Sequence, residues 1–143
     1  MNRFVVDANV AAKWVLPAPN ESHVNQAVAL LEDYVSTKIE ILVPDLFWVE
    51  VGNLLRNAAR RGRCTPDHAL NALDHVTAQD FHTVPAHFVV RSAFEIATKY
   101  NCTVYDCLYV ALAEALQAEF VTADERLANA LPSKYSITRL GEL

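Results

Sequence analysis

Phe4-Val5-Val6-Asp7 brings together three β-favouring apolar residues and then a carboxylate near the amino terminus. A short unbroken apolar run of this kind is typical of a strand that is buried on both faces of a parallel sheet. The segment 120–124, which reads Phe-Val-Thr-Ala-Asp, repeats the arrangement and ends at Asp124. Both aspartates should therefore lie where a core strand leaves the sheet, at the edge where open parallel sheets bind their ligands.

Strands and helices alternate along the rest of the chain. Apolar residues at helical spacing predict helices at 9–15, 22–35, 46–61, 66–78, 87–100, 104–116 and 124–130. Apolar or β-branched runs predict further strands at 39–43, 81–84, 119–122 and 135–138. Because right-handed crossovers lie over a parallel sheet, this order predicts an α/β fold, a three-layer α/β/α sandwich with a central parallel sheet of about four to five strands. At 143 residues we expect a single domain, 1–143.

Three polar residues stand directly before predicted helices. Asp45, Thr65 and Thr103 precede the helices that start at 46, 66 and 104. A side-chain oxygen in this position accepts a hydrogen bond from a free N–H group of the first turn. We therefore expect all three residues to be N-caps.

The composition excludes several classes of protein. No apolar run approaches the roughly 20 residues of a membrane span, and the carboxylate of Asp7 interrupts any signal peptide. We therefore expect a cytoplasmic protein with no membrane partner. Cys64, Cys102 and Cys107 form no CxxC pair and predict free thiols. A formal net charge of −5 argues against coating of nucleic acid by bulk electrostatics, so any such contact must be local.

Two further carboxylates border the core-facing sides of predicted helices. Glu50 follows Leu46 by one turn and precedes Leu54 by another, within an apolar stripe. Asp106 shares one side of its helix with the apolar ring of Tyr109. An inward carboxylate is costly unless something pairs with it.

Taken together, Asp7, Glu50, Asp106 and Asp124 predict a metal site. Two carboxylates about 4 Å apart repel by roughly 4 kcal/mol at an effective dielectric of about 20, and no lysine or arginine adjoins these residues as an evident partner. Oxygen ligands suit Mg²⁺ or Mn²⁺, and such acidic sites activate water and neutralise phosphate in phosphoryl transfer. Taken singly, Asp106 or Asp124 is explained equally well as a helix cap or a partner of the helix dipole.

Four blocks of the sequence resemble the PIN-domain family, and most closely its VapC-like toxin branch. In order, the blocks are Val5-Val6-Asp7-Ala8-Asn9, Glu50-Val51-Gly52-Asn53-Leu54-Leu55, Tyr105-Asp106-Cys107-Leu108-Tyr109-Val110-Ala111-Leu112-Ala113 and Val121-Thr122-Ala123-Asp124-Glu125-Arg126-Leu127. The resemblance implies an α/β/α sandwich and a Mg²⁺-dependent endoribonuclease of single-stranded RNA. It also implies the toxin of a type II toxin–antitoxin system, held inactive by a cognate antitoxin protein.

The resemblance further assigns roles to individual residues. The family's four acidic positions, which are catalytic, correspond to Asp7, Glu50, Asp106 and Asp124. Three of them, Asp7, Asp106 and Asp124, are expected to bind Mg²⁺, for which Mn²⁺ can substitute. Glu50 is expected to align or deprotonate the attacking water. Asn9 and Thr122 match polar positions whose expected role is to orient the carboxylates.

The basic residues near the end of the helix at 46–61 form the only basic cluster in the sequence. Arg56, Arg60 and Arg61, followed by Arg63, suit contacts with the phosphates of RNA. They are explained equally well as a solvated helix end with cations near its negative carboxyl terminus. We also expect a homodimer, since the apolar residues at 24–35 and 46–55 suit a subunit interface, an antitoxin groove or the core.

Two other functions stay open. A phosphatase or receiver-like domain would also place an aspartate after its first strand, but Asp7-Ala8-Asn9 lacks an Asp-x-Asp pair, and neither Lys99 nor Lys134 follows a core strand. The second open function is a non-catalytic module that binds RNA or a protein partner through the same fold. It would be recognised by metal-independent RNA affinity without strand cleavage.

Overall fold

The structure is a computed structural model that describes residues 1–143, except for the side chain of Asn20. The strands are β1 (Asn2–Val6), β2 (Ile39–Pro44), β3 (His82–Val84), β4 (Glu119–Thr122) and β5 (Ile137–Arg139). The α-helices are α1 (Ala8–Val15), α2 (Val24–Val35), α3 (Leu46–Arg60), α4 (Pro66–Thr77), α5 (Val90–Tyr100), α6 (Val104–Leu116) and α7 (Glu125–Ala130). Short 3-10 turns lie at Ala18–Asn20, Ala86–Phe88 and Leu140–Glu142.

The five strands form one parallel sheet in the order β3-β2-β1-β4-β5. In β1, Phe4 is in register with Ile41 of β2 and with Glu119 of β4. Helices α1 to α4 pack together on one side, and α5 packs on α6, which lies against β1, β2 and β4. The predicted α/β/α sandwich with a parallel sheet is confirmed.

The direction in which strands are added reverses between β1 and β4. The chain adds β2 and then β3 on one side of β1, and then returns to add β4 and β5 on the other side. Ligands of open α/β sheets bind at the carboxyl ends of the strands at this kind of switch point. Asp7 directly follows β1, and its N–H donates to Val121 O of β4 at 3.0 Å. The fold therefore places Asp7 at the switch point.

The central strands supply the apolar centre of the core. Val5, Val6, Phe120 and Val121 are completely buried, as expected for strands that are covered on both faces. Burial of each such side chain contributes about 1.5–3 kcal/mol to the free energy of unfolding. The carboxyl ends of β1 and β4 are consequently rigid supports for the polar residues that follow them.

An aromatic cluster closes the core beneath α1 to α4. Phe81 is buried, and its ring packs against the rings of Trp14, Tyr34, Phe47 and Trp48 at centroid distances of 4.8 to 6.0 Å. Both tryptophans are half-buried and donate their indole N–H groups, to Ala27 O and Thr83 Oγ1 respectively. Trp14 and Trp48 therefore belong to the edge of the core.

The N-cap predictions for Thr65 and Thr103 are confirmed, and that for Asp45 is wrong. The two threonine hydroxyls accept hydrogen bonds from the third residue of α4 and of α6. Asp45 has helical backbone angles, so its side chain does not fold back over α3. Instead, Asp45 Oδ1 accepts from the N–H of Ala86 at 3.1 Å. The carboxylate thus ties the end of β2 to the turn that follows β3.

Several predicted boundaries shift because of local backbone geometry. The helix expected from residue 87 begins at Val90, since a 3-10 turn follows Pro85. The helix expected from residue 22 begins at Val24, since His23 has a φ of 56°. The last strand is Ile137–Arg139 and not 135–138. Within the described part of the chain, no helix has the length and apolar character needed to cross a bilayer.

Candidate active site

Asp7 is the most buried of the four predicted acids. Its side chain is 7% exposed, and Thr122 Oγ1 donates to Asp7 Oδ2 at 2.8 Å. Burial raises the pKa of Asp7 from 3.8 to about 7, the Thr122 hydroxyl opposes this rise, and the charges of Glu50 and Asp106 add to it. The carboxylate is thus held in one orientation and in an environment that resists its negative charge.

The hydroxyl of Thr122 is the centre of a buried polar network. It donates to Asp7 and accepts from Asn9 Nδ2 at 3.4 Å and from the N–H of Asp124 at 3.0 Å. Asn9 Oδ1 in turn accepts from the N–H of Ala123 at 3.1 Å. Asn9 and Thr122 therefore connect the carboxyl ends of β1 and β4 and hold the segments that carry Asp7 and Asp124.

Asp124 is the N-cap of α7 as well as a member of the acidic group. Its Oδ1 accepts from the N–H of Leu127 at 3.1 Å, so the capping explanation of this residue holds. Its second carboxylate oxygen accepts no hydrogen bond from the described side chains. For Asp106 the capping explanation fails, because Thr103 is the cap of α6 and Asp106 lies within the first turn. Asp106 instead fits the helix-dipole explanation, because it lies in the first turn of α6, and a hydrogen bond with the Thr103 side chain also lowers its pKa.

Glu50 reaches the site from α3 and is held by a residue that the sequence analysis did not assign. Tyr109 Oη donates to Glu50 Oε1 at 3.1 Å. The ring of Tyr109 is 1% exposed and stacks on Phe120 at 5.6 Å between centroids. A tyrosine within a buried helix face normally needs a hydrogen-bond partner, and that requirement was the available signal. Glu50 is half-buried and borders the core, as predicted from its helical position.

The site carries an excess of negative charge. Burial raises the pKa of Glu50, the Tyr109 hydroxyl opposes the rise, and the charge of Asp106 adds to it. Burial also raises the pKa of Asp106, with a hydrogen bond to Thr103 opposing it and the charge of Asp124 adding to it. Among the side chains described, no lysine or arginine nitrogen lies within 4.0 Å of any of the four carboxylates. Arg126 forms no ion pair with the group, although its positive charge lowers the pKa of Asp106, so burial and mutual repulsion dominate.

The donor chemistry of this site fits a hard divalent cation. All of its charged donors are carboxylate oxygens, which Mg²⁺ and Mn²⁺ prefer. Over the described residues, no three Asp, Glu, His or Cys side chains already stand in the arrangement of ligands around one metal ion. Asp106 and Asp124 are only partly buried, whereas Asp7 is buried.

The basic residues predicted to contact RNA lie in the second half of α3 and directly after it. Arg56, Arg60 and Arg61 are all exposed, and none forms an ion pair with a described carboxylate. Arg61 differs from the other two because it borders a cleft of about 300 Å³ that Asn9 and Ala123 also line. The structure thus brings only Arg61 of the three to an opening beside the acidic group.

Comparison with known proteins places this arrangement in a family. The family model described as "PIN domain" matches residues 4–130. Ribonuclease VapC3 of Pyrobaculum aerophilum is 34% identical over 134 residues, which cover 92% of this chain and 96% of that protein. The range 4–130 that the family model matches contains the positions of the four acids and of Asn9 and Thr122.

Solved structures agree with the fold. A crystal structure of a protein from Pyrobaculum aerophilum has a TM-score of 0.69 at 20% identity, covering 98% of this chain and 90% of that one. A toxin–antitoxin complex from Klebsiella pneumoniae contains a chain with a TM-score of 0.62 at 12% identity, covering 97% of this chain and 98% of that one. The chain belongs to the PIN-domain family, in its VapC-like branch.

Proposed function

We propose that this chain is a Mg²⁺-dependent endoribonuclease that hydrolyses phosphodiester bonds of single-stranded RNA. The observation that carries the proposal is the group formed by Asp7, Glu50, Asp106 and Asp124 at the switch point of the sheet, where no described lysine or arginine forms an ion pair with them. Carboxylates in such surroundings need a cation to stay ionised near neutral pH. The 34% identical relative is named a ribonuclease, which supports RNA as the substrate.

Asp7, Asp106 and Asp124 would hold the ion. When bound, Mg²⁺ or Mn²⁺ supplies positive charge for the phosphate oxygens and lowers the pKa of a coordinated water. Thr122 keeps Asp7 Oδ2 in place, so the most buried ligand is preorganised. Asp124 uses Oδ1 for the cap of α7, which leaves Oδ2 to face the ion.

Glu50 is the proton acceptor for the attacking water. Its Oε1 is occupied by the hydroxyl of Tyr109, so Oε2 takes the proton. The water oxygen forms the new bond to phosphorus as the bond to the leaving ribose oxygen breaks on the opposite side, and the leaving oxygen then acquires a proton from solvent. A raised pKa suits Glu50 to this role, because general bases work best when their pKa approaches the working pH.

The biological role that follows is that of the toxin in a type II toxin–antitoxin system. Support comes from the VapC name of the 34% identical relative and from the toxin–antitoxin complex among the structures of the same fold. The partner would be a cognate antitoxin protein. A homodimer stays a prediction, and the exposed apolar side chains of Phe88 and Phe94 offer a surface for it. In α3 most apolar residues are buried or packed against the core, whereas in α2 the buried residues are Ala27 and Leu30.

A non-catalytic RNA-binding member of the family is the second candidate. The observation in its favour is that no described set of three side chains already has the arrangement of metal ligands. Such a module would bind RNA with the same affinity in Mg²⁺ and in EDTA and would leave the strand intact. Membership of the PIN-domain family argues against the phosphatase considered above.

The deciding experiment is cleavage mapping on total RNA and on a defined single-stranded RNA, with Mg²⁺ or with EDTA. The wild-type protein should cut in Mg²⁺ only, and Asp7→Asn should abolish cleavage while it preserves the fold. Asp80→Asn is the matched control, because Asp80 is exposed and lies before the amino end of β3. Equal cleavage by Asp7→Asn and the wild-type protein would contradict the catalytic role proposed for Asp7.

A further inference from the structure

The cleft beside the acidic group is continuous with the network that holds Asp7. It has a volume of about 300 Å³ and lies between α1, α3 and the turn after β4. Two of its lining residues, Asn9 and Ala123, hydrogen bond to each other and connect to Thr122, which holds Asp7. The four acids do not line the cleft themselves, but Asn9 and Ala123 place it next to the segments that carry Asp7 and Asp124.

The charged side chains that line the cleft are mostly basic. Lys13, Arg61 and Arg63 carry the positive charges, and Glu21 carries the only negative charge among the lining residues. Lys13 Nζ lies 3.2 Å from Glu21 Oε1, and Arg63 binds the other oxygen of the same carboxylate. Lys13 and Arg63 share the one anion and Arg61 has no ion-pair partner, so the cleft has a net positive charge in a protein whose formal net charge is −5.

This positive charge is fixed in place and partly desolvated. Lys13 is 8% exposed, and the Nε atom of Arg63 is buried without a hydrogen-bond acceptor among the described residues. A buried donor without a partner is costly, and buried polar groups in proteins nearly always find one. Glu21 also holds Lys13 and Arg63 together, and neither cation pairs with the four acids. The acidic group and the basic cleft thus remain separate, oppositely charged sites.

We propose that the cleft binds a backbone phosphate of the RNA substrate that neighbours the scissile phosphate. The inference rests on the proposed ribonuclease function, because that function puts the scissile phosphate at the acids. A guanidinium group matches the geometry of phosphate oxygens, and charge-assisted hydrogen bonds of this kind are stronger than neutral ones. Arg61 is exposed at the mouth and supplies the free cation, while Lys13 and Arg63 supply fixed charge inside.

The test is an equilibrium binding measurement on the full chain carrying Asp7→Asn, which keeps the RNA uncut. Fluorescence anisotropy gives its affinity in Mg²⁺ for a short single-stranded RNA, and for the same RNA with one uncharged methylphosphonate linkage placed at each position in turn. Neutralising one particular linkage should weaken binding about tenfold, the effect of one charge-assisted contact. Adding Arg61→Gln should weaken binding of the natural RNA by a similar factor and abolish the dependence on that linkage.

Two controls separate this site from general electrostatics. Arg3→Gln also removes one positive charge, but at the amino end of β1, where Arg3 pairs with Glu40. This variant should preserve the dependence on the single linkage. Arg63→Lys keeps the charge beside Glu21 but removes the Nε donor, and should reduce the dependence without changing the melting temperature. If Arg61→Gln and the uncharged linkage each weaken binding and their effects multiply when they are combined, the proposal is overturned. It is also overturned if the uncharged linkage weakens binding equally at every position.

Two further measurements show whether the cleft prefers RNA to free phosphate, and which of the two proposals is wrong if one of them fails. Inorganic phosphate should compete only weakly with RNA, and competition as tight as that of the oligonucleotide would make the cleft a free-anion site instead. Cleavage of natural RNA by the wild-type protein is scored separately. If the linkage dependence is present but no cleavage occurs, the cleft is supported and the ribonuclease function is contradicted. If cleavage occurs without the linkage dependence, the proposal that the cleft binds a backbone phosphate is overturned.

Discussion

The Tyr109 hydroxyl donates a hydrogen bond to Glu50 Oε1 at 3.1 Å and so connects α6 to α3 at the carboxyl edge of the sheet. The two residues are 59 positions apart in the chain. The ring of Tyr109 cannot leave its position without opening the core, because it is buried and stacked on Phe120. Tyr109 therefore fixes the orientation of a glutamate that would otherwise have the rotational freedom of a helix surface residue.

Tyr109→Phe should lower kcat for RNA cleavage about tenfold with a smaller effect on KM, because Glu50 loses its orientation and not its contact with substrate. Loss of one hydrogen bond should also cost about 1 kcal/mol of unfolding free energy. Since the hydroxyl lowers the pKa of Glu50, the acid limb of the pH–rate profile should move to higher pH in the variant.

Steady-state kinetics across pH measures these effects, and Tyr105→Phe is the control because Tyr105 lies on the same helix, α6, and is exposed. An unchanged acid limb together with a uniform loss of stability would mean that Tyr109 acts only by packing.

The free energy of unfolding of the metal-free protein should decrease as the pH rises from about 4 to about 7. Burial raises the pKa of Asp7 to about 7, whereas the unfolded chain has the ordinary value of 3.8. Between these values the folded protein keeps a proton that the unfolded chain has released, so a rise in pH favours unfolding. The loss is as much as about 4 kcal/mol for this residue alone.

Denaturant unfolding in EDTA at a series of pH values measures this slope, and Asp7→Asn should flatten it. Addition of Mg²⁺ above pH 7 should restore stability in the wild-type protein, since the ion binds the folded ionised carboxylate. Stability that increases from pH 4 to 7 in EDTA would contradict the raised pKa.

Thr122→Val should raise the pKa of Asp7 further and destabilise the protein by about 2–3 kcal/mol. The substitution preserves shape, but it removes the donor to Asp7 and the acceptor for Asn9 Nδ2 and for the N–H of Asp124. Titration of Mg²⁺ followed by thermal melting should show weaker binding than in the wild-type protein. Thr138→Val, on the neighbouring strand, is the control, and equal Mg²⁺ affinity in both variants would exclude an orienting role for Thr122.

Asp124 offers a test that separates its structural contact from its charge. Asparagine caps a helix as well as aspartate does, so Asp124→Asn should keep the thermal stability of α7 and still abolish cleavage. Asp124→Ala should lose cleavage and also about 1 kcal/mol of unfolding free energy. If Asp124→Asn cleaves RNA at the wild-type rate, then capping is the whole role of this residue.

The fold could be predicted largely from local patterns. The central strands were recognisable as apolar runs and most helices by their spacing, and alternation then required a parallel sheet. The errors lay at segment ends, where single contacts decide the backbone. Asp45 is an example, because its carboxylate accepts from Ala86, 41 residues away, in place of capping α3. A pattern within one segment contains no information on such a partner.

Local patterns were enough to place Asp7 and Asp124 after core strands, because a strand buried on both faces is visible as an unbroken apolar run. The contacts by which Tyr109 holds Glu50 and Thr122 holds Asp7, and the position of Arg61 with Lys13 and Arg63 at one cleft, were not visible before the chain was folded. Strand ends follow from local hydrophobicity. Hydrogen bonds and charge pairs between distant segments depend instead on how the helices pack across the sheet.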